Sequence, residues 1–138
     1  MNIDSIINGI VIDHITAGKG MKIYQLLSLD QMDCPVALIR NAYSKKMGRK
    51  AIINIDADIT LNMDILGYVD PGATLSIIKE GKVASKQKPM LPERLTGVIS
   101  CKNPRCITTT EQELPHVFTL TDAETRTYRC LYCEAKAE

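Results

Sequence analysis

The spacing of hydrophobic positions changes along the chain, and each change marks an element. Gly9-Ile10-Val11-Ile12-Asp13-His14-Ile15 is rich in β-branched residues and predicts a strand. From about Gly18 to Leu29 the spacing becomes helical: Ile23, Leu26 and Leu27 share one face, and Thr16 is the candidate cap. Pro35 to Arg40 and Lys50 to Ile55 predict two further strands, joined as a long hairpin by the polar stretch Asn41 to Arg49 with its Gly48. Leu61, Ile65, Tyr68 and Val69 fit a short helix over Thr60 to Val69, stopped by Asp70-Pro71-Gly72 and weakened by the internal Gly67. Thr74 to Lys79 and Lys82 to Lys86 complete the pattern as a hairpin across Glu80-Gly81. The order β-α-β-β-α-β-β is ferredoxin-like with one extra strand.

Beyond that hairpin the pattern dissolves. Lys86-Gln87-Lys88-Pro89-Met90-Leu91-Pro92 carries two prolines, which disfavour helix and suit an extended connector, so the expected domains are 1–92 and 93–138. The second has no helical period, only the short strand candidates Val98-Ile99-Ser100, Val117-Phe118-Thr119-Leu120 and Thr127-Tyr128-Arg129. Of the seventeen isoleucines, sixteen precede Cys101. An aliphatic-poor segment this short cannot support a core alone and needs a staple.

Composition narrows the function classes. A length of 138 residues admits one ordinary domain or two small ones and excludes large multidomain enzymes. Lys and Arg number 17 against 16 Asp and Glu, so the net charge of +1 disfavours a protein that grips nucleic acid by bulk electrostatics. A hydrophobic content of 45% excludes wholesale disorder. The start, Met1-Asn2-Ile3-Asp4-Ser5-Ile6, lacks a basic region followed by an apolar run, and no apolar run approaches the ~20 residues of a membrane span. The expectation is a cytoplasmic protein with no membrane partner.

The staple is visible in the cysteines. Cys101-x4-Cys106 and Cys130-x2-Cys133 form two short loops separated by 23 residues. A tetrahedral ion needs ligands converging from rigid corners, and such loops supply them, with Pro104 stiffening the first. Four thiolates leave no open position, which points to one structural Zn2+ per chain rather than a catalytic metal. Disulfides would need an oxidising compartment, and a redox pair at Cys130-Leu131-Tyr132-Cys133 would belong in a βαβ context that is absent. His116 is a possible substitute ligand, while Cys34 beside Pro35 reads as an inert core thiol. The expected fold class is therefore α+β: a ferredoxin-like domain followed by a small all-β, zinc-ribbon-like one.

No serine nucleophile motif, P-loop or paired-glycine phosphate loop is present. Asp13-His14 suggests an acid–base pair, but adjacent strand residues point to opposite faces and are not expected to share a cleft. Cations recur at Lys45, Lys46, Arg49 and Lys50 and again at Lys79, Lys82, Lys86 and Lys88, where one or two can hold a phosphate.

In order along almost the whole chain, the Gly9 to Ile15 segment, Met47-Gly48-Arg49-Lys50, Leu91-Pro92-Glu93-Arg94 and the four spaced cysteines resemble the regulatory chain of aspartate carbamoyltransferase. The resemblance implies a non-catalytic subunit in de novo pyrimidine biosynthesis. Its first domain would bind nucleotide effectors (CTP, UTP, ATP) and form a homodimer, and its zinc domain would dock on the catalytic chain. Carried over by position, the effector site comprises Ser5, Ile6, Val11, Asp13, His14, Ile52, Asn54, Ser76, Ile78, Val83 and Lys86, and the docking residues are Asn103 and Glu134. Asn54 stands where the family commonly has a second lysine, Ser76 where it has asparagine and Gly81 where an aromatic occurs, so an altered or weakened nucleotide response is expected. The competing reading is a nucleic-acid-binding zinc ribbon with a sensor domain, as in some transcription regulators. It predicts a basic ribbon, yet residues 93–138 hold six Lys and Arg against seven Asp and Glu.

Overall fold

A computed structural model of the chain describes residues 6–137. They divide into two compact units, the first running to Met90 and the second beginning at Leu91. The first contains β1 (Gly9–Thr16), α1 (Gly20–Leu26), β2 (Val36–Ser44), β3 (Gly48–Ile55), α2 (Met63–Val69), β4 (Thr74–Lys79) and β5 (Lys82–Gln87). The second contains β6 (Arg94–Thr96), α3 (Ile107–Thr110), β7 (Val117–Asp122) and β8 (Thr127–Cys130).

In the first unit the strands form one sheet in the order β2-β3-β1-β4-β5, with every neighbour antiparallel. This is the ferredoxin-like order with the extra strand added outside β4. Alternation along β1 divides the sheet into two faces. Ile10 and Ile12 pair with Ile55 and Ile53 on one side and with Ile77 and Leu75 on the other, building the helix-covered face. Helix α1 packs on β2 and β3 through Gly20, where an added Cβ would lie 3.0 Å from both Ala51 Cβ and Leu38 Cδ1. Helix α2 buries Ile65, Leu66 and Val69 and packs against α1. The opposite face carries Val11, Asn54 and Ser76 in direct register, with Ile52 and Ile78 beyond.

Register breaks at one place in three of this sheet's four strand pairs: between β4 and β5, where Ala84 is the extra residue, and in the two pairs on either side of β3. Between Ile12 and Ile15, two residues of β1 face one residue of β3. Between Ile39 and Ala42, two residues of β2 do the same. Both are β-bulges, and each contains a residue in the left-handed region, His14 at φ 57° and Asn41 at φ 57°.

Several element ends differ from the sequence expectation. The loop expected over Asn41 to Arg49 is mostly strand, with only residues 45–47 left as a turn. Strand β2 lies at the sheet edge, so its polar residues face water and resemble a loop. Ser44 Oγ accepts from the Met47 amide at 3.1 Å and closes the turn. Thr16 ends β1 rather than capping α1, whose N-cap is Lys19; the Thr16 amide donates to Asp70 Oδ2 at 2.7 Å. Helix α2 is capped by Asn62, which accepts from the Asp64 amide at 2.9 Å.

The second unit is a three-stranded antiparallel sheet, β6-β7-β8. Its first strand is Arg94–Thr96, not Val98-Ile99-Ser100, because Leu95 turns inward between two exposed neighbours. The short α3 had no periodic signal. Three consecutive threonines are poor helix formers, and the turn is held instead by Thr109 Oγ1, which donates to Asn103 O at 3.0 Å and Cys106 O at 2.6 Å. Leu95, Val117, Phe118 and Tyr128 make the apolar core together with Cys101, Cys106 and Cys130. Tyr128 is 1% exposed, and its hydroxyl donates to the Pro92 carbonyl.

Gly9 tests how tightly the sheet is built around β1. A Cβ there would meet Ile55 O at 2.2 Å and Ile6 Cγ2 at 2.8 Å. Gly9→Ala is expected to destabilise the first unit by about 1–3 kcal/mol, as overpacking does elsewhere, measured by urea unfolding of the metal-loaded chain.

Candidate functional site

Two sites emerge, one in each unit. The first follows from the bulge in β1. In an unbroken strand Asp13 and His14 would point to opposite faces, as the sequence suggested. The bulge, with His14 at positive φ, brings both side chains to one cavity and overturns that expectation. The cavity has a volume of about 310 Å³, and its wall includes Val11, Asp13, His14, Ser76, Val83 and Lys86. Those six come from three strands, β1, β4 and β5, through the register that places Val11 opposite Ser76 and Ser76 opposite Lys86.

The polar groups are mutually positioned. Asp13 Oδ1 accepts from Lys50 Nζ at 2.8 Å and from the His14 amide at 2.6 Å. His14 Nδ1 lies 3.0 Å from Thr74 Oγ1. Burial works to raise the Asp13 pKa, but the Lys50 ammonium and the His14 amide outweigh it, and the carboxyl ends below its ordinary value. Asp13 is thus an ionised acceptor beside an imidazole.

The remaining sequence-selected residues stand behind the cavity rather than in its wall. Ile6 and Ile78, each 1% exposed, form a cluster with Val11, and Ile52 packs against it. Asn54 is 2% exposed and paired with Val11 and Ala37. Ser5 lies outside the described residues. Sequence reasoning did not select Thr74 or Gln87, and it named Lys88 only as one of several cations that could hold a phosphate; all three also line the cavity. The strand alternation Thr74, Ser76 and the lysine after β5 were the available signals. Cys34 is half-buried, not a core thiol.

The second site is the cysteine cluster. Cys101, Cys106, Cys130 and Cys133 place their sulfurs within 4.8 Å of one another, and Cys101–Cys133 and Cys106–Cys130 both lie at 3.6 Å. Zinc–sulfur bonds of about 2.3 Å at tetrahedral angles require sulfurs about 3.8 Å apart, so the cluster fits one zinc ion. All four cysteines are unpaired as disulfides.

Each loop is a hydrogen-bonded turn. In the first, the Cys106 amide donates to Asn103 O at 3.1 Å, and the Arg105 amide to Asn103 Oδ1 at 3.0 Å. In the second, the Glu134 amide donates to Cys130 O and the Cys130 amide to Ala135 O, both at 2.9 Å. His116 is not a ligand; its Nδ1 accepts from the Cys101 amide at 2.9 Å and fixes the first loop from behind. The thiols are tuned apart. Burial pushes Cys101 up, whereas the Thr108 hydroxyl, 3.0 Å from Cys106 Sγ, pulls Cys106 down. The Ala135 amide lowers Cys133. Crowded sulfurs cannot all ionise without a cation between them, and a divalent ion removes that cost.

The family model for the aspartate carbamoyltransferase regulatory chain, allosteric domain, matches residues 1–90, and that for its metal binding domain matches residues 93–138. Similar proteins include the aspartate carbamoyltransferase regulatory chain of Bifidobacterium longum (strain NCC 2705), 44% identical over 138 residues, 100% of this chain and 99% of that one. Another is the regulatory chain of Clostridium botulinum (strain Hall), 47% identical over 134 residues, 97% and 92% of the two chains. That of Clostridium tetani (strain Massachusetts / E88) is 46% identical over 135 residues, 97% and 94%.

Two outcomes are expected from these geometries. Stripping the metal with a chelator removes about 10–16 kcal/mol of folding free energy by analogy with zinc-finger peptides. Amide NMR signals of β6–β8 should therefore collapse while those of β1–β5 persist. The second concerns Asp13. Its folded pKa lies below the unfolded 3.8, so its contribution is present above that value and is lost as pH falls through the folded one. Asp13→Asn should flatten the acid limb of the first unit's stability curve, read from urea midpoints at decreasing pH.

Proposed function

The chain belongs to the family of aspartate carbamoyltransferase regulatory chains, and on that premise we propose how this non-catalytic subunit works. Its first unit takes a nucleotide effector of the CTP, UTP or ATP class in the Asp13–His14 cavity. Its second unit docks on the catalytic chain of aspartate carbamoyltransferase, in the cytoplasm, with zinc in the four-cysteine cluster.

The observation that carries the effector reading is the convergence of an acceptor, an imidazole and a lysine on one open cavity in the sheet face away from the helices. Val11 and Val83 offer apolar walls for a base. Asp13 accepts from a ribose hydroxyl or base amine, and Lys86 meets phosphate. Asn54 bears no charge where relatives of the family commonly carry a lysine, and it sits buried behind Val11. One cation fewer leaves phosphate binding to Lys86 and its neighbours and supports an altered effector response.

Docking is supported by the surface around the zinc loops. Ile107, directly after Cys106, is 49% exposed, and Leu131 and Tyr132, between Cys130 and Cys133, are each 45% exposed. Apolar groups fixed on metal-stapled turns suit a protein partner rather than a phosphate backbone. Asn103 belongs to the first loop's hydrogen bonding, and Glu134 is exposed just past the last cysteine. A homodimer is supported by β2. Among the described residues its outer backbone has no partner strand, while Val36, Ala37, Leu38 and Ile39 are half-buried; the other edge strand, β5, is exposed along its whole length and carries lysines.

Mixing the metal-loaded chain with catalytic trimers should give a larger assembly by analytical ultracentrifugation. Glu134→Ala, at an exposed position, is expected to weaken assembly about two- to fivefold without changing metal content. Lys86→Ala is expected to weaken nucleotide binding about tenfold by titration calorimetry. Failure of the unaltered chain to join the trimers would sink the docking reading.

A further inference from the structure

We propose that Thr108 is a positioning residue of the metal cluster: its hydroxyl donates to the Cys106 thiolate, aims that sulfur at the ion and sets how tightly the ion is kept. This rests on the cluster holding zinc, and it names a residue outside the four ligands on which that binding depends.

The chemistry of the cluster creates the need. Four thiolates around one divalent ion make a doubly negative group. Cys101, Cys106 and Cys130 are buried, so water cannot solvate the excess charge, and a buried charge is tolerated only where donors meet it. The chain brings such donors to its sulfurs. The Asn103 amide serves Cys101, and the Ala135 amide serves Cys133. Cys106 receives two groups from one residue, the amide of Thr108 and its hydroxyl, the latter 3.0 Å from Sγ. Among the described residues, Cys106 is the one ligand of the four with a hydroxyl on its sulfur.

Thr108 differs from its neighbours in where that hydroxyl goes. Thr109 Oγ1 donates to Asn103 O at 3.0 Å and Cys106 O at 2.6 Å, and Thr110 Oγ1 donates to Ile107 O at 3.1 Å. Backbone carbonyls are the usual partners of threonines in helical turns. Thr108 is 2% exposed, and its hydroxyl turns to sulfur instead. Valine would fill the same space without carrying a polar atom inside, so the hydroxyl is what distinguishes threonine at this position. A thiolate has no proton to give, which makes the hydroxyl the donor in the metal-loaded chain. Hydrogen bonds to a charged acceptor are the strong ones. Two of them from a residue fixed in α3, two positions past Cys106, settle the direction of the sulfur.

The test uses the whole chain. Competition of the zinc-loaded chain against a colorimetric chelator gives metal affinity, and the cobalt(II)-loaded chain gives the energy of the sulfur-to-metal charge-transfer band. Thr108→Val, which keeps the shape and removes the hydroxyl, should weaken zinc binding about tenfold, the low end for partners of metal ligands because the amide at 108 remains. It should also move the band to lower energy, since a sulfur without the hydrogen bond gives up electron density more easily. Thr108→Ser, which keeps the hydroxyl, should match the unaltered chain in both. Thr109→Val, whose lost hydroxyl met only carbonyls, should leave the band in place. Unchanged affinity and band energy in Thr108→Val overturn the proposal. So does an equal loss in Thr108→Val and Thr108→Ser with the band unmoved, the signature of packing alone. If Thr108→Val does not load metal, Thr108→Ala is read against Thr108→Ser, and the same band shift is required. An unaltered chain that binds no zinc brings down the metal reading and this proposal with it.

Discussion

Two residues of the central strand stand opposite one of its neighbour, and much of the first unit follows from that mismatch. β1 lies between β3 and β4, so any irregularity in it is felt on both sides. Inserting Asp13-His14 against Ile52 breaks the two-residue alternation and sends both side chains to the same face. Strand β2 carries its own bulge opposite Ala51, one residue along β3. The two bulges lie side by side at Ala51 and Ile52, beside the place where Gly20 brings α1 into close contact with Ala51. After the bulge the strand is caught again at once, because Asp70 takes the Thr16 amide. The distortion is confined to the residues that face the cavity.

The second unit solves a different problem. Its apolar core holds four large side chains and three cysteines, too little to offset the chain entropy of so many residues without covalent or metal cross-links. The four sulfurs supply the missing cohesion, and the surrounding hydrogen bonds specify which turn each occupies. His116 holds the Cys101 amide, Thr108 holds the Cys106 sulfur, and Asn103 closes the loop between them. Because the metal fixes these turns, the exposed Ile107, Leu131 and Tyr132 are held rigidly, which lowers the entropic cost of burying them against a partner.

Some of this was legible from residue spacing and some was not. β1, β4 and the hairpin to β5 follow from β-branched runs and Glu80-Gly81, and the zinc cluster follows from the two short cysteine loops. The β2–β3 turn was hidden because an edge strand exposes polar residues such as Arg40 and Asn41, which resemble loop. α3 was hidden because it is held by threonine hydroxyls and cysteine turns rather than by a hydrophobic stripe. The meeting of Asp13 and His14 was the most consequential miss. Strand periodicity predicts opposite faces for neighbours, and nothing in Ile12-Asp13-His14-Ile15 announces a bulge except the tolerance of Asp and His for left-handed backbone. The family resemblance implied that both residues belong to one site, and the bulge supplies the physical reason they can line one cavity.

Charge placement bears on how so nearly neutral a chain would hold the polyanion proposed for it. A net charge of +1 gives no long-range attraction, so affinity has to come from local arrangement. The Asp13–Lys50 pair neutralises a carboxylate at the cavity wall while leaving its second oxygen as an acceptor, so the acid contributes selectivity without repelling phosphate. Asp70 is buried with its oxygens committed to backbone amides. With both carboxylates occupied in this way, the lysines on the β2–β3 turn and around β5, which have no carboxylate partner among the described residues, set the sign of the field over the cavity. On the proposed reading, anion selectivity would come from committing acids to structural partners, not from accumulating bases.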